Sequence, residues 1–88
     1  MNVAEVTWAR RLARNGVARL IREGAGLSTV ELAQELGVTP GAVSMWERGR
    51  RVPRGDVAER YARVLRELIG GGEAMTDARS TTTAVDGQ

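Results

Sequence analysis

Leu27-Ser28-Thr29-Val30-Glu31-Leu32-Ala33-Gln34-Glu35-Leu36-Gly37-Val38-Thr39-Pro40-Gly41-Ala42-Val43-Ser44-Met45-Trp46-Glu47-Arg48-Gly49 is the stretch that decides the fold. Ser28-x-x-Glu31 has the form of a capping box, in which a hydroxyl and a carboxylate each accept an N–H that the first helical turn leaves over. Leu32, Ala33 and Leu36 follow at helical spacing and face inward. Gly37 stands where the left-handed end of a short helix is expected. Thr39 then offers an N-cap hydroxyl, and Pro40 takes the first helical position, where its missing N–H costs nothing. Val43 and Trp46 are the apolar residues of this second helix, and Gly49 ends it. The pattern predicts helices over residues 28–36 and 39–48. Gly37 permits the sharp turn between them, Val38 plugs the corner, and Ala33 is small enough to let them cross closely.

Both flanks also read as helix. Upstream, Asn2-x-x-Glu5 is a second capping box, and Val6, Ala9, Ala13, Val17, Leu20 and Ile21 make one apolar stripe. One helix over residues 3–23 is predicted, with Asn15-Gly16 a weak point that could break it and Gly24-Ala25-Gly26 its stop. Downstream, residues 50–54 form a loop. A further helix over 55–69 buries Val57, Ala58, Tyr61, Ala62, Leu65, Leu68 and Ile69. Gly70-Gly71-Gly72 then marks a boundary. Residues 1–69 carry a net charge of +4 and residues 70–88 a net charge of −2, and the stretches 79–83 and 86–88 have almost no apolar content. Such a tail cannot bury enough surface to offset the entropy of ordering, and disorder is expected over 70–88. The expected architecture is therefore all-α: a four-helix domain over 1–69 with an extended N-terminal helix, followed by a flexible tail.

Composition excludes much else. The 88 residues contain 13 Arg and no Lys, His or Cys. There is no disulfide, no thiol nucleophile, and none of the commonest metal ligand or neutral-pH acid/base group. No paired carboxylates sit in a metal-ligand or Gly-rich context. An enzyme is not expected, and neither is a cofactor or metal. No apolar run approaches the ~18 residues that would span a membrane, and no signal peptide opens the chain. A soluble protein of a reducing compartment is expected, cytoplasmic, at a bacterial nucleoid or in a phage-infected host. The pI near 10.4 overstates a net charge of only +2, because little titrates between neutrality and pH 10. The absence of Lys fits codon bias in a GC-rich genome, so the placing of the arginines matters more than their number.

Two short helices joined by a glycine-containing turn are the helix-turn-helix signature, although that hairpin also occurs as plain structure. The residues are more specific. Leu-Ala-x-x-Leu-Gly-Val over residues 32–38, with Ser44-x-Trp46-Glu47-x-Gly49-x-Arg51-x-Pro53, resembles the Cro/lambda-repressor-like (XRE-type) helix-turn-helix family over about residues 16–68. The resemblance implies a DNA-binding domain with core 16–68 and an N-terminal helical extension 1–15. It makes 28–36 the supporting helix, whose N-terminus at Ser28 and Thr29 aims backbone N–H groups at a phosphate. Family members often carry Gln at the place of Thr29, so this contact is shortened or lost here. It makes 39–48 the recognition helix, entering the major groove by its first turns. It pairs Arg22 with Glu47 as an ion pair bracing the first helix against the recognition helix.

The base-reading positions depart from the pattern. They hold Pro40, Gly41, Ser44 and Met45, and only Thr39, Ser44 and Arg48 offer polar side chains. No Asn or Gln is placed to grip adenine, and no Arg in the first two turns to grip guanine. Pro40 and Met45 suit thymine methyls. Modest specificity per half-site is expected, leaning on DNA shape and dimer spacing. Arg48, Arg50, Arg51 and Arg54 put four positive charges into seven residues with no acid among them. In the family this loop follows the phosphate backbone, and the position of Arg54 reaches the minor groove. Arg10, Arg11, Arg14, Arg19 and Arg22 read as the solvated polar side of the first helix. The extension, with Val3, Val6, Trp8 and Leu12, is expected to cover apolar surface or to form a dimer interface; helix 55–69 is the other candidate interface. The expected function is a sequence-specific transcriptional regulator, a repressor binding double-stranded DNA as a homodimer on a pseudo-palindrome. The alternatives are a helix-turn-helix protein-interaction module, or an accessory factor in DNA recombination or plasmid maintenance.

Overall fold

A computed structural model describes residues 2–76 of the chain. Five helices make up the described residues: α1 (Val3–Arg14), α2 (Val17–Gly24), α3 (Thr29–Leu36), α4 (Pro40–Glu47) and α5 (Gly55–Thr76). No strand occurs among them. The core is built around α5. Trp46 of α4 meets Tyr61 of α5 with ring centroids 5.1 Å apart and planes inclined by 38°. Leu32 and Leu36 from α3, Val43 from α4 and Leu65 from α5 are fully buried around that pair. Each such side chain contributes about 1.5–3 kcal/mol of transfer free energy. Ala9, Ala13, Ala18, Ala33, Ala58 and Ala62 are also buried. These small side chains let helices approach closely where no bulk is available to fill a gap.

The α3–α4 turn follows from local chemistry. The Ser28 hydroxyl accepts the Glu31 N–H at 3.0 Å, and the Glu31 carboxylate accepts the Ser28 N–H at 2.9 Å, completing the box. At the other end Gly37 adopts φ +72°, which a side chain would strain. Its N–H reaches the Gln34 carbonyl and the Val38 N–H reaches that of Ala33, satisfying two of the last carbonyls of α3. The Thr39 hydroxyl then caps α4 by accepting the Ala42 N–H at 3.2 Å.

The N-terminal region differs from the single helix expected over 3–23. Gly16 takes φ +90° and the chain breaks into α1 and α2. The Asn15 side chain stabilises the break by accepting the Val17 N–H at 3.0 Å. The break resets the helical phase. Val6, Ala9 and Ala13 face inward as the stripe requires, but in α2 the inward residues are Ala18, Ile21 and Arg22. Val17 and Leu20 turn outward, Leu20 to 67% exposure.

The first capping box forms only half. Asn2 accepts the Glu5 N–H at 3.1 Å, but the Glu5 carboxylate turns to Arg66 on α5, with two bonds of 2.7 Å. The Arg66 guanidinium also lies over the Trp8 ring, 4.3 Å from its centroid. These contacts lay α1 against α5, and α1 covers part of its surface.

Gly70-Gly71-Gly72 does not end α5, which continues to Thr76 rather than stopping at residue 69. Glycine costs a helix about 1 kcal/mol per residue but keeps its N–H and fits helical dihedrals, so it weakens a helix without blocking it as proline does. Ile69, expected on the buried face, is 42% exposed. Of the tail expected over 70–88, residues 77–88 lie outside the described residues.

Candidate nucleic-acid interface

The orientation of α4 is set from behind. Arg22 and Glu47 form a two-pronged pair, Nε to Oε2 at 2.7 Å and Nη2 to Oε1 at 3.0 Å. Only 9% and 6% of the two side chains is exposed, so solvent screens the pair little. The remaining Arg22 donor, Nη1, reaches the Leu27 carbonyl at 2.8 Å, which ties the α2–α3 loop into the same knot. The hydrogen bonds that Arg22 donates to Glu47 raise its pKa above its ordinary value, against the opposing effect of burial. Beside the pair, burial pushes the Tyr61 phenol well up and the Glu47 carboxylate adds to the shift.

This knot fixes which side of α4 faces out. Val43 and Trp46 point into the core. Thr39, Pro40, Gly41 and Arg48 are exposed, and Ser44 and Met45 half-buried, on the other side. The Arg48 guanidinium donates to the Ser44 hydroxyl at 3.0 Å, so these two polar groups lean on one another along one edge of that side.

The loop after α4 is held by its backbone. The Gly49 N–H reaches the Trp46 carbonyl and the Arg50 N–H that of Met45, at 3.0 and 2.9 Å, closing α4 and turning the chain back. Pro53 is fully buried, while Arg50, Arg51 and Arg54 stay exposed. No described residue accepts a bond from the guanidinium groups of these three.

Thr39, Gly41, Met45, Arg50, Arg51 and Arg54 come together around one open groove of about 790 Å³ between α4 and the loop. Val38, Ala42, Trp46, Val52, Pro53 and Val57 complete its lining. It joins an apolar floor to a cationic rim. Pro40, Ser44 and Arg48 lie outside this groove, as do Ser28 and Thr29 at the start of α3. The Ser28 hydroxyl and N–H are both committed to the capping box. The first-turn N–H groups that box leaves over are those of Thr29 and Val30.

Sequence reasoning missed two positioning contacts. The Arg60 guanidinium donates to the Leu36 carbonyl at 2.6 Å, fastening the end of α3 to α5. Arg10, which spacing assigns to a solvated face, donates from Nε to the Pro53 carbonyl at 2.9 Å. Both acceptors are backbone carbonyls, which leave no mark in a side-chain pattern. Arg19 does belong to a solvated face, pairing with Glu23 one turn on at 3.0 Å.

A family model described as helix-turn-helix matches residues 19–68. The chain belongs to the Cro/lambda-repressor-like (XRE-type) helix-turn-helix family. The match takes in α3, α4, the arginine loop and α5 through Leu68, together with most of α2. Helix α1 lies wholly outside it. Comparisons with curated proteins and with solved structures gave no match. Membership of this family makes the chain a helix-turn-helix protein of a DNA-binding class. Among the described residues no helix is long and apolar enough to cross a membrane.

Proposed function

We propose that the protein is a transcriptional repressor that binds double-stranded DNA as a homodimer on a pseudo-palindromic site, with half-sites about one helical turn apart. The observation that carries this reading is the groove, where Thr39, Gly41 and Met45 meet three arginines that have no acceptor among the described residues. The first turns of α4 enter the major groove, bringing Thr39, Pro40, Gly41, Ser44 and Met45 to base edges. Arg50, Arg51 and Arg54 lie along the sugar-phosphate backbone, with Arg48 at the last turn of the helix. A second phosphate sits at the start of α3, held by the N–H groups of Thr29 and Val30 more than by Ser28, whose donor is already used. Repression follows from occlusion of a promoter and needs no chemistry.

Pro40 and Gly41 supply no side-chain hydrogen bond, so base discrimination rests on Thr39, Ser44, methyl contacts and DNA shape. The same two residues favour the second reading, a helix-turn-helix module that binds protein instead of DNA. Selection of bound sites from random DNA, with the mass of the complex measured alongside, tests both. Recovery of a two-fold symmetric site by two chains supports the dimeric regulator. Failure to retain any DNA at low salt, where non-specific phosphate contacts are strongest, removes it in favour of the protein module.

A further inference from the structure

The loop that carries Arg50, Arg51 and Arg54 is fixed at one end by its own backbone and at the other by a helix outside the family match. At the α4 end the Arg50 N–H is bonded to the Met45 carbonyl. At the α5 end the Pro53 ring is buried, and its carbonyl accepts the Arg10 Nε–H of α1 at 2.9 Å. Helix α1 also reaches the near end: the stem of Arg14 lies 3.8 Å from where a Cβ on Gly49 would stand. The same helix therefore bonds the far end of the loop and stands beside its near end. Arg54 is the residue after the bonded carbonyl, and Arg51 stands two residues before Pro53.

Arg10 is half-buried and its Nε is spent on a backbone oxygen, which suits holding more than ligand binding. Helix α1 is itself held to α5 by the two Glu5–Arg66 bonds and by Arg66 over Trp8, so it can transmit a fixed position. We infer that α1 is a built-in brace that sets the spacing of the loop arginines from the recognition helix, and that Arg10 is its positioning residue for phosphate binding. This inference rests on the DNA-binding reading above. Physically, the brace removes conformational freedom from the loop before DNA arrives, so less ordering entropy is lost on binding.

A double-mutant cycle in the full chain tests it, with binding to a random-sequence duplex measured at low salt and at a temperature where every variant is folded. Arg10→Ala alone should weaken binding about fivefold, the size expected when a freed loop must be ordered again on binding. In an Arg51→Ala, Arg54→Ala background the same change should cost less than about twofold, because the groups it positions are gone. Equal effects in the two backgrounds would overturn the inference and make Arg10 a direct or purely electrostatic contributor. No effect in either would show that α1 does not govern the loop. If the unaltered chain fails to bind the duplex, the DNA-binding reading itself falls, a result distinct from the other two.

Discussion

Behind α4, arginines end on acceptors: Arg22 on Glu47 and Leu27, Arg60 on Leu36, Arg66 on Glu5. In front of it, the guanidinium groups of Arg50, Arg51 and Arg54 end on none among the described residues. The residue type is the same, and its neighbours decide its use. Where a carboxylate or an unused carbonyl is within reach, the planar fork becomes architecture. Where no acceptor is bonded, the charge stays available to an outside anion. Net charge alone therefore says little about nucleic-acid binding in this chain.

The contrast can be broken most severely at Glu47. Glu47→Ala leaves Arg22 charged and buried without its partner, and should lower unfolding free energy by about 3–5 kcal/mol in urea denaturation. A loss below about 1 kcal/mol would place the pair among ordinary surface contacts. Next comes Trp8→Ala, which strips the ring from beneath Arg66 and loosens α1 from α5. A loss of about 2 kcal/mol is expected, read as a fall in melting temperature. An unchanged melt together with an unchanged sedimentation mass would refute both a covering and a dimerising role for α1.

The front of the molecule should answer in the opposite way. Arg51→Ala and Arg54→Ala should leave stability within about 0.5 kcal/mol. Each should reduce the salt dependence of DNA binding by about one unit of slope. A melt as low as that of Trp8→Ala would show that these arginines are structural after all. The smallest effect concerns acid. Hydrogen bonding from Arg66 lowers the Glu5 pKa below its ordinary 4.5, with a smaller contribution from charge attraction and some opposition from burial. A carboxylate lowered on folding stabilises above its unfolded value, and loses that contribution as pH falls through the folded value. The melting temperatures of the unaltered chain and of Glu5→Gln should therefore differ near neutrality and converge below pH 4.5. A constant gap across that range would show that the Glu5 charge does not hold α1.

The centre of the fold was legible because its signals are local. Ser28 with Glu31, Gly37, and Thr39 with Pro40 each act within one turn of chain, and α3 and α4 lie where those residues put them. The Asn15-Gly16 break was harder to read, since the apolar stripe runs through it without a gap. Two dihedrals at Gly16 decided the phase of α2, and a stripe does not encode them. The reach of α5 past its glycines is not legible in the sequence, because a glycine run weakens a helix without encoding whether it stops. Of the candidate site, the loop arginines and residues 39–48 are named by spacing and resemblance alone. The groove that Thr39, Gly41 and Met45 share with Arg50, Arg51 and Arg54 depends on the loop folding back, and Arg10 and Arg60 were hidden because their partners are backbone atoms.

Every brace on α4 lies on the side away from its outer residues, which has a consequence for redesign. Gly41 has helical dihedrals, and a Cβ added there would meet only the Thr39 hydroxyl, at an ordinary 3.9 Å. The position is structurally vacant. An alanine at 41 should improve the helix by up to about 1 kcal/mol. A glutamine or asparagine there would add an adenine-reading group without touching the ion pair behind. The domain is in this sense a blank key, with a fixed shank and a bit still open to cutting.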